Sequence, residues 1–452
     1  MSLWENSVDR RVATTEPSQS AGRRGRGARG GAFAHTMLDR TSLADLQTDQ
    51  GLACQAEAMR LLPTPEGFLA STQRLARSYP ERLARLAVEQ ALLRQRAAEK
   101  FEHPERMYFT REALEQATPM AVAAHRVERF KGQSRAFDLC CGLGSDALAL
   151  AEAVPVVGID QNPLCVSLLH TNATALGLQD RVRAVVGDVL ELPWTFGAAD
   201  CAFFDPSRRE AQRRVRRPEQ YRPPLSTLLG WIDRVTGLAA KVSPAIEREA
   251  LADFECEIEF VSLGGELKEA TLWFGSFRTS EVRATILPGG HSLAEKPLPP
   301  GRLSQPLAYL YEPDPAVLRA GLVANLAERL GAAQLDPTIA YLTATNRLAT
   351  PFARAYQVLD QFPFGRKRLQ AALAALGAGS VVLKKRGSPV DTEALARQLK
   401  LRGDRTLTVI LTRVAGAATA LIVSPLPDEA PRGDWSSNGP VLSSPLTPLL
   451  RR

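Results

Sequence analysis

Residues 137–146 carry the first pattern with a chemical meaning: Phe-Asp-Leu-Cys-Cys-Gly-Leu-Gly-Ser-Asp. An apolar run leads into two glycines and then into a helical pattern, which predicts a strand, a tight turn and a helix. Gly142 and Gly144 lack a Cβ, so the backbone there can approach a ligand closely. The helix that follows offers free N–H groups in its first turn. The segment predicts a binding turn, although two glycines alone are a weak signal.

Three further acidic residues each follow a short apolar run. Asp160 comes about twenty residues after the glycine turn, where a nucleotide-binding unit places its ribose diol. Asp188 follows a third run, and the pair Asp205-Pro206 follows a fourth. With Asp138, these residues form a four-part series at the ends of four predicted strands. We therefore expect one ligand site along those strand ends.

The tetrad Asp205-Pro206-Ser207-Arg208 has candidate catalytic groups. Asp205 can accept a hydrogen bond or a proton. The guanidinium of Arg208 can stack on a base or bind a phosphate. No cysteine lies in or just after the tetrad, so thiolate attack on a pyrimidine carbon has no support here. The alternative interpretation of Asp205-Pro206 is a turn that ends a strand.

Arginines crowd residues 208–222, with only Glu210 and Glu219 against them. They are Arg208, Arg209, Arg213, Arg214, Arg216, Arg217 and Arg222. A basic loop beside a site is where a phosphate backbone would run. The alternative is a solvated surface.

Two more residues are candidates for the site. Lys241 could complete its floor, and Glu266 could either close a hairpin or point into the cleft.

Length and composition limit the class of protein. The chain has 452 residues, with 56 Lys+Arg against 49 Asp+Glu and a formal charge of +7. That length suggests two to four domains at roughly 100–200 residues each. Composition excludes a disordered chain. The sequence also contains no uninterrupted run of about 18 apolar residues, the length needed to span a bilayer. The six cysteines form no C-x-x-C pair, which indicates reduced, buried thiols in a cytosolic protein, with no bound metal.

The pattern changes along the chain and predicts six regions. Residues 1–36 form a Gly/Arg-rich tail, which could be an RNA-binding arm or the product of an over-extended start before Met37. Residues 37–130 are helical, with Thr118-Pro119 as the N-cap and first residue of the helix Met120–Phe130. Residues 131–295 alternate strands and helices. Residues 296–375 form a mixed connecting region, 376–428 an α/β module, and 429–452 a disordered tail.

The alternating pattern predicts the fold class. Strands that alternate with helices give a parallel, doubly wound α/β sheet. The runs 257–263, 270–274 and 283–287 lack long crossovers, so we expect an antiparallel hairpin at one edge. Val381–Arg386, Thr392–Lys400 and Leu407–Leu411 read as strand, helix and strand in a compact C-terminal unit.

The four-part series resembles the class I S-adenosylmethionine-dependent methyltransferases, over roughly residues 110–290. The resemblance implies S-adenosylmethionine as cofactor and a Rossmann-like sheet. Asp138, Cys140, Gly142 and Gly144 match the motif around the methionine part, with Cys140 in place of the usual first glycine. A NAD-type dinucleotide fold is the alternative. The missing third glycine of G-x-G-x-x-G and the acid after the third strand count against it.

The other motifs imply further roles. Asp160 matches the residue that accepts both ribose hydroxyls, with Asn162 just beyond it. Asp188 and Val189 match the contacts to the adenine amino group and ring. Asp205 and Pro206 match the start of the motif that faces the methyl-accepting atom. Amino-group methyltransferases continue with a proline and an aromatic ring, whereas this chain has Arg208.

The C-terminal segment is similar to the THUMP-like modules of some bacterial methyltransferases. True THUMP modules bind RNA, so the resemblance implies an RNA partner, with Lys384, Lys385 and Arg386 as candidate contacts beside the arginine loop. A plain α+β packing domain is the alternative. The leading hypothesis is an RNA methyltransferase that acts on rRNA or tRNA at a base nitrogen. A small-molecule methyltransferase and a non-catalytic RNA-binding protein are the alternatives.

Overall fold

The computed structural model describes residues 38–191, 196–197, 199–210, 213–214, 217–299 and 301–427, and the backbone of 10–12. Of residues 209, 210, 213 and 214 it describes the backbone alone. The predicted C-terminal tail, 429–452, lies outside the described residues, as does the predicted N-terminal tail except 10–12. The chain divides into two compact units. The N-terminal unit is Arg26–Ile258 with Glu269–Thr279, and the C-terminal unit is Glu259–Lys268 and Ser280–Arg452 with Met1–Gly25.

The α-helices are labelled in chain order. They are α1 (Arg40–Leu46), α2 (Asp49–Arg60), α3 (Phe68–Leu75), α4 (Glu81–Ala97), α5 (Arg111–Gln116), α6 (Met120–Phe130), α7 (Ser145–Leu150), α8 (Pro163–Ala175), α9 (Pro315–Ala320), α10 (Val323–Leu330), α11 (Arg366–Ala375) and α12 (Thr392–Gln398). Short 3₁₀ helices cover Pro104–Arg106, Val189–Glu191, Pro218–Gln220, Leu225–Gly230, Ile232–Arg234 and Arg248–Leu251.

The strands are labelled in the same way. They are β1 (Arg10–Val12), β2 (Arg135–Leu139), β3 (Val156–Asp160), β4 (Val182–Val186), β5 (Asp200–Phe204), β6 (Arg209–Glu210), β7 (Arg213–Arg214), β8 (Gly237–Val242), β9 (Glu257–Leu263), β10 (Glu266–Gly275), β11 (Val282–Leu287), β12 (His291–Ala294), β13 (Tyr309–Pro313), β14 (Ala333–Asp336), β15 (Ile339–Ala344), β16 (Ala353–Pro363), β17 (Ala378–Lys385), β18 (Arg405–Val414) and β19 (Ala417–Pro425).

The sheet of the N-terminal unit has its strands in the order β10, β8, β5, β2, β3, β4. The last five are parallel to one another, and β10 is antiparallel to β8. Strands β5 and β8 are buried throughout, as expected for central parallel strands covered on both faces. The predicted doubly wound sheet and its antiparallel edge are confirmed. Parallel pairing places Asp138, Asp160 and Asp205 at one edge, the carboxyl ends of β2, β3 and β5.

The N-terminal helices share the core of this sheet. Buried residues of α4, such as Leu86, belong to the same apolar cluster as Leu148 of α7 and Phe203 of β5. Asn172 of α8 bonds both backbone groups of Tyr108, at 2.8 and 3.2 Å. The helical region and the sheet, which the sequence divides at residue 130, are therefore one compact unit, because the helices bury their apolar face on the sheet.

The C-terminal unit contains a second sheet, with the order β1, β17, β18, β19, β16, β13, β15, β14. Strands β17 and β18 are parallel across α12, which confirms the predicted strand, helix and strand. Strands from 296–375 and from 376–425 pair in this one sheet, so the expected division at residue 376 is not a break in the fold. Strand β1 pairs with β17, within a tail that composition predicts to be unfolded. Residues 315–330 form two helices, α9 and α10, because Gly321 ends α9 at φ +75.

The Gly264-Gly265 turn connects β9 to β10, with φ values of +61 and +81 at the two glycines. Glu266 follows this turn, has a 76% exposed side chain, and pairs with Lys268 at 2.6 Å. Of the two roles that the sequence allows for Glu266, closing a hairpin or pointing into the cleft, the structure therefore favours the first. Within the described residues, no helix is long and apolar enough to cross a membrane.

Candidate functional site

The turn after β2 has a left-handed backbone at three positions. The φ angles are +70 at Cys140, +55 at Gly142 and +94 at Gly144. Glycine adopts this region freely, whereas a residue with a Cβ is strained there by about 1–2 kcal/mol. Cys140 therefore keeps the backbone conformation that a glycine would have, and the turn has the shape that the glycine-rich motif predicts.

The two glycines of the turn serve different purposes. A Cβ on Gly144 would lie 2.3 Å from Leu169 Cδ1 of α8, so this glycine allows the helix to pack against the turn. A Cβ on Gly142 would meet no atom within 4 Å. The space beside Gly142 is open, which is the property required where a backbone faces a ligand.

Asp160, at the end of β3, is bonded to this turn. Its Oδ2 accepts a hydrogen bond from the Gly142 amide at 3.0 Å, and its Oδ1 accepts one from the Asn162 amide at 2.8 Å. Burial raises the pKa of Asp160, and the two amide bonds partly offset that effect. Each carboxylate oxygen has a second lone pair, so Asp160 can still accept bonds from a diol. Asn162 itself caps α8 through its own side chain.

Asp188 lies after β4 on the rim of a cleft of about 510 Å³. Its Oδ1 accepts a bond from the Leu190 amide at 2.9 Å, and the neighbouring Val189 is buried. The cleft is also lined by Gln161 and by residues 219–224. The residue after Asp160 and the end of the arginine-rich segment therefore share one cleft with Asp188.

Asp138 is a buried carboxyl group without hydrogen-bond partners among the described residues. Its side chain is 1% exposed, and the nearby Ala147 amide does not meet hydrogen-bond geometry. Burial, with the carboxylates of Asp146 and Asp205, raises the pKa of Asp138 well above its usual value, against the opposing effect of Arg126. A buried polar group that the protein leaves unsatisfied indicates a ligand position.

Asp205 lies at the end of β5 and forms an ion pair that sequence reasoning did not specify. Its Oδ2 lies 2.8 Å from Nζ of Lys241, at the end of β8. The same ammonium donates to Oγ1 of Thr118 at 2.8 Å. Burial lowers the pKa of Lys241, but Asp205, Asp146 and Glu269 raise it, and the balance lies above its usual value. Lys241, which the sequence suggests could complete the floor of the site, is thus bonded to Asp205.

The polar contacts continue from Thr118 toward β10. Thr118 donates to Oδ2 of Asp146 at 2.8 Å, and Asp146 also pairs with Arg126. Arg126 pairs in turn with Glu269 of β10, and its guanidinium lies 4.1 Å from the ring centre of Phe203. The predicted N-cap role of Thr118 is wrong: α6 begins after Pro119 with no side-chain cap, because the hydroxyl is used by Lys241 and Asp146.

The four motif aspartates converge around Cys140. Burial, followed by Asp160, Asp205, Asp138 and Asp188, raises the pKa of the Cys140 thiol well above its usual value. Burial also raises that of Cys141. A thiol with a raised pKa is a poor nucleophile at neutral pH. The six cysteines are free, and those of this turn have no feature of a catalytic thiolate.

The arginine-rich segment leaves the site as a hairpin. Ser207 and Arg222 exchange backbone bonds of 2.9 Å, and β6 pairs with β7 beyond them. Tyr221 fixes the return of the hairpin, because its hydroxyl accepts from the Ser243 amide at 3.2 Å. Arg208 is half-buried at the base of the hairpin, and Pro206 is buried. We call residues 207–222 the arginine hairpin.

The structure describes only some of the side chains that the sequence predicts to contact RNA. Arg217 is exposed, and Arg216 lies outside the described residues. Only the backbone of Arg209, Arg213 and Arg214 is described. In the C-terminal unit, Lys384 is 11% exposed and pairs with Glu312 at 2.9 Å, and Lys385 donates to the Val390 carbonyl. Arg386 lies over the ring of Tyr341. The ammonium of Lys384 is therefore engaged inside its own unit.

The structure adds three residues that sequence reasoning missed: Thr118, Arg126 and Glu269. Each is a polar residue in or beside an apolar stretch, and all three are at most 3% exposed. An unexpected polar residue in an apolar pattern is the signal that would have found them, since buried charges must be paired. Their partners lie far away in the sequence, so the identity of each partner could not be predicted from the local sequence pattern.

The site is suited to a positively charged ligand. Its carboxyl groups outnumber its cations, which include Arg126, Lys241 and Arg208, and Asp138 has no hydrogen-bond partner among the described residues. S-adenosylmethionine carries a sulfonium and an ammonium group, so the residues present fit it. Among the residues that the structure describes, no group of three or more His, Cys, Asp or Glu could hold a metal ion.

Comparisons with known proteins agree with this geometry. Residues 136–216 match the family described as methyltransferase domain, 353–425 match the THUMP domain-like family, and 39–97 match a domain of unknown function (DUF8688). A crystal structure from Porphyromonas gingivalis W83, of a protein assigned as a methyltransferase, has a TM-score of 0.66 at 19% identity. It covers 86% of this chain and 99% of that one, and at this identity it shows the fold.

The curated relatives give the family. An uncharacterized S-adenosylmethionine-dependent methyltransferase of Mycobacterium tuberculosis, from strains CDC 1551 / Oshkosh and ATCC 25618 / H37Rv, is 38% identical over 351 residues. The match covers 75% of this chain and 95% of the relative. The acidic strand ends, the glycine turn and this relationship lead to one conclusion: the chain belongs to the S-adenosylmethionine-dependent methyltransferase family.

Proposed function

We propose that this methyltransferase acts on RNA, at a nitrogen of a base. The observation that carries the proposal is the arginine hairpin, which begins at Ser207, two residues after Asp205. A methyl-accepting group held at Asp205 would have Arg208 and the start of this arginine-rich segment beside it in the chain. Cations at that position suit a phosphate backbone, whereas a small neutral acceptor would have no use for them.

The C-terminal unit supports the same partner. The THUMP-like segment 353–425 has 12 Lys and Arg against 4 Asp and Glu, an excess of 8 positive charges that exceeds the +7 of the whole chain. Seven of these cations are exposed on α11, on α12 and in residues 400–405, and we call them the basic face: Arg366, Lys367, Arg368, Arg397, Lys400, Arg402 and Arg405. Concentrated positive charge is the feature that attracts nucleic acid.

Side-chain bonds join the two helices of the basic face. Arg366 donates to Gln398 at 2.7 Å, and Gln370 exchanges bonds of 2.6 and 2.7 Å with the backbone of Lys400. These contacts hold the start of α11 beside the end of α12, so Arg366 lies near Gln398, and Gln370 lies beside Lys400. The surface is distinct from the predicted Lys384–Arg386 contacts, of which Lys384 is engaged with Glu312.

The proposed roles follow from the site. Bound S-adenosylmethionine supplies an electrophilic methyl group. Asp160 would accept the ribose hydroxyls, and Asp188 with Val189 would contact the adenine. Asp205 and the backbone carbonyls of the Asp205-Pro206 turn would accept N–H bonds from the base. This orients the nitrogen lone pair toward the methyl carbon, as in-line transfer requires. Arg208 would stack on the base or bind its phosphate.

The test is the loss and restoration of one methyl mark. Nucleosides of rRNA and tRNA from a strain that lacks the gene should have lost one base methylation in mass spectrometry. Purified protein and S-adenosylmethionine should restore that mark on RNA from the same strain, and the Asp205→Ala protein should not. An unchanged set of nucleosides, with methyl transfer only into the small-molecule fraction, would show that the acceptor is not RNA.

A further inference from the structure

We propose that Lys241 is a positioning residue for methyl transfer, which holds Asp205 in place and connects it to the glycine turn. The inference rests on the proposed role of Asp205 as the residue that orients the acceptor. Lys241 is 5% exposed, in a strand whose other five residues are apolar and buried. A lysine at such a position requires a physical reason.

A short chain of hydrogen bonds defines the connection. Nζ of Lys241 donates to Asp205 Oδ2 and to Thr118 Oγ1, both at 2.8 Å. Thr118 uses its single hydroxyl proton toward Asp146 Oδ2, so its lone pair is available to the ammonium. Asp146 lies in the first turn of α7, two residues after Gly144. Through Lys241 and Thr118, Asp205 is thereby connected to α7, the helix that begins at the glycine turn.

Stability alone does not account for this lysine. Removing an ammonium group from water costs several kcal/mol, and a well-packed apolar pair in its place is often neutral or stabilising. The strand is apolar elsewhere, so a methionine in this position would match its surroundings. What the lysine provides is a defined orientation of the Asp205 carboxylate.

That orientation matters for the acceptor. Asp205 has its Oδ2 on Lys241, and its backbone amide donates to the Leu139 carbonyl at 3.1 Å. Its Oδ1 has no hydrogen-bond partner among the residues that the structure describes, and the side chain is 24% exposed. One oxygen is fixed by the protein and the other faces a substrate N–H. Reacting atoms need to be held about 3–3.5 Å apart, and an error of 1 Å can cost about 100-fold in rate.

The experiment measures the catalytic rate and cofactor binding of Lys241→Met. We expect kcat to fall by about 100-fold, while calorimetric titration gives an unchanged affinity and one bound S-adenosylmethionine per chain. Thr118→Val should lower kcat to a smaller extent, and Thr118→Ser should restore it. The matched control is Arg129→Met, which removes a partly buried ion pair with Glu257 that does not touch Asp205. Its kcat per folded site should equal that of the wild type.

A double-mutant cycle separates positioning from a structural role. Lys241→Met leaves Asp205 unpaired and could unfold the chain, whereas Lys241→Met/Asp205→Ala removes both charges. If Lys241 acts through the Asp205 carboxylate, the double variant should have the same residual kcat as Asp205→Ala, which has no side-chain oxygen for Lys241 to hold. A further large loss in the double variant, or a wild-type kcat for Lys241→Met, would overturn the inference.

The acceptor is varied so that this result does not depend on RNA. Rates are measured with purified RNA and with the small-molecule fraction of the deletion strain, and ratios between variants are taken in the fraction that accepts the methyl group. Labelling of the small-molecule fraction alone would contradict the proposed function. The ratios would still decide the role of Lys241.

Discussion

The Gly142 amide donates a hydrogen bond of 3.0 Å to Asp160 Oδ2, which joins the turn after β2 to the end of β3. The second oxygen of Asp160 is bonded to the Asn162 amide, so the carboxylate is held from both sides. Two motifs that lie 18 residues apart in the sequence are one rigid element in the structure. A ligand that binds to Asp160 therefore finds its acceptor oxygens already oriented, which lowers the entropy cost of binding.

The first prediction concerns Asp160. Asp160→Ala should weaken S-adenosylmethionine binding by about 2–3 kcal/mol, or roughly 30- to 150-fold, because the charged acceptor of the ribose hydroxyls is lost. Calorimetric titration measures this. Asp180→Ala, at an exposed aspartate of the same unit, is the control and should bind normally. Wild-type affinity in Asp160→Ala would show that the residue only supports the turn.

The second prediction separates the two glycines. Gly142→Ala adds a methyl group to open space and should weaken cofactor binding, with a loss of unfolding free energy of about 1–2 kcal/mol from the positive φ. Gly144→Ala adds a methyl group 2.3 Å from Leu169 and should lose more stability. Urea denaturation and cofactor titration of both proteins measure the difference. Equal losses of stability would contradict the assignment of these roles.

The third prediction concerns Asp205. Asp205→Ala should retain cofactor and RNA binding and lose most turnover, because the missing contact acts mainly in the transition state. It should also lower the melting temperature, since it leaves the buried Lys241 unpaired. Asp205→Asn distinguishes two mechanisms by its rate. Partial activity would indicate nitrogen methylation by orientation, and complete loss would indicate a proton acceptor for a hydroxyl. Wild-type rates in both proteins would mean that the active site lies elsewhere.

The fourth prediction compares the two basic surfaces. Alanine at Arg213, Arg214, Arg216 and Arg217, or at Lys367, Lys400 and Arg402 of the basic face, should weaken RNA binding. Each lost contact should also reduce the slope of log affinity against log salt by about 0.7 for a single strand. Binding titrations at several salt concentrations measure the slope.

Four exposed arginines of the N-terminal helical region serve as the control for the fourth prediction, since replacing them changes the net charge by 4, as in the hairpin variant, and by one more than in the three-residue variant of the basic face. They are Arg60, Arg74, Arg77 and Arg96. Their replacement should leave the slope unchanged, and cofactor affinity should not change in any of these proteins. If replacing the cations of a surface leaves the slope unchanged, that surface does not contact RNA and is only exposed to solvent.

The fifth prediction concerns pH and Asp138. The pKa of this carboxyl group is raised in the fold above its usual 3.8, mainly by burial and then by Asp146 and Asp205. Between 3.8 and the raised value, the folded state binds more protons than the unfolded chain. Its contribution to stability is therefore complete below about pH 4 and is lost as the pH rises through the raised pKa.

Asp138→Asn removes this titration. The unfolding free energy of the wild type, relative to that of Asp138→Asn, should therefore fall as the pH is raised from 4 toward neutrality. Urea denaturation at several pH values measures the difference. A difference that is constant with pH would show that Asp138 ionises equally in the folded and unfolded chains.

Local pattern was sufficient for the fold class and for the motifs. Alternating apolar runs and helical periods predict the parallel sheet, because both periods are set by backbone geometry over a few residues. The glycines at 142 and 144 and the aspartates at 138, 160, 188 and 205 were readable for the same reason. Each of them stands at or shortly after the end of a predicted strand, so parallel pairing brings them to one edge of the sheet.

Tertiary structure decided which side chains are free to act. Thr118 has the sequence context of a helix cap, but its hydroxyl is bonded to Lys241, 123 residues away. Lys384 has the context of a basic surface, but it pairs with Glu312, 72 residues away. A buried charge takes the partner that the packed fold places beside it, since leaving it unpaired costs more than either local alternative gains. Pairings of this kind depend on distance in space, which no local pattern in the sequence contains.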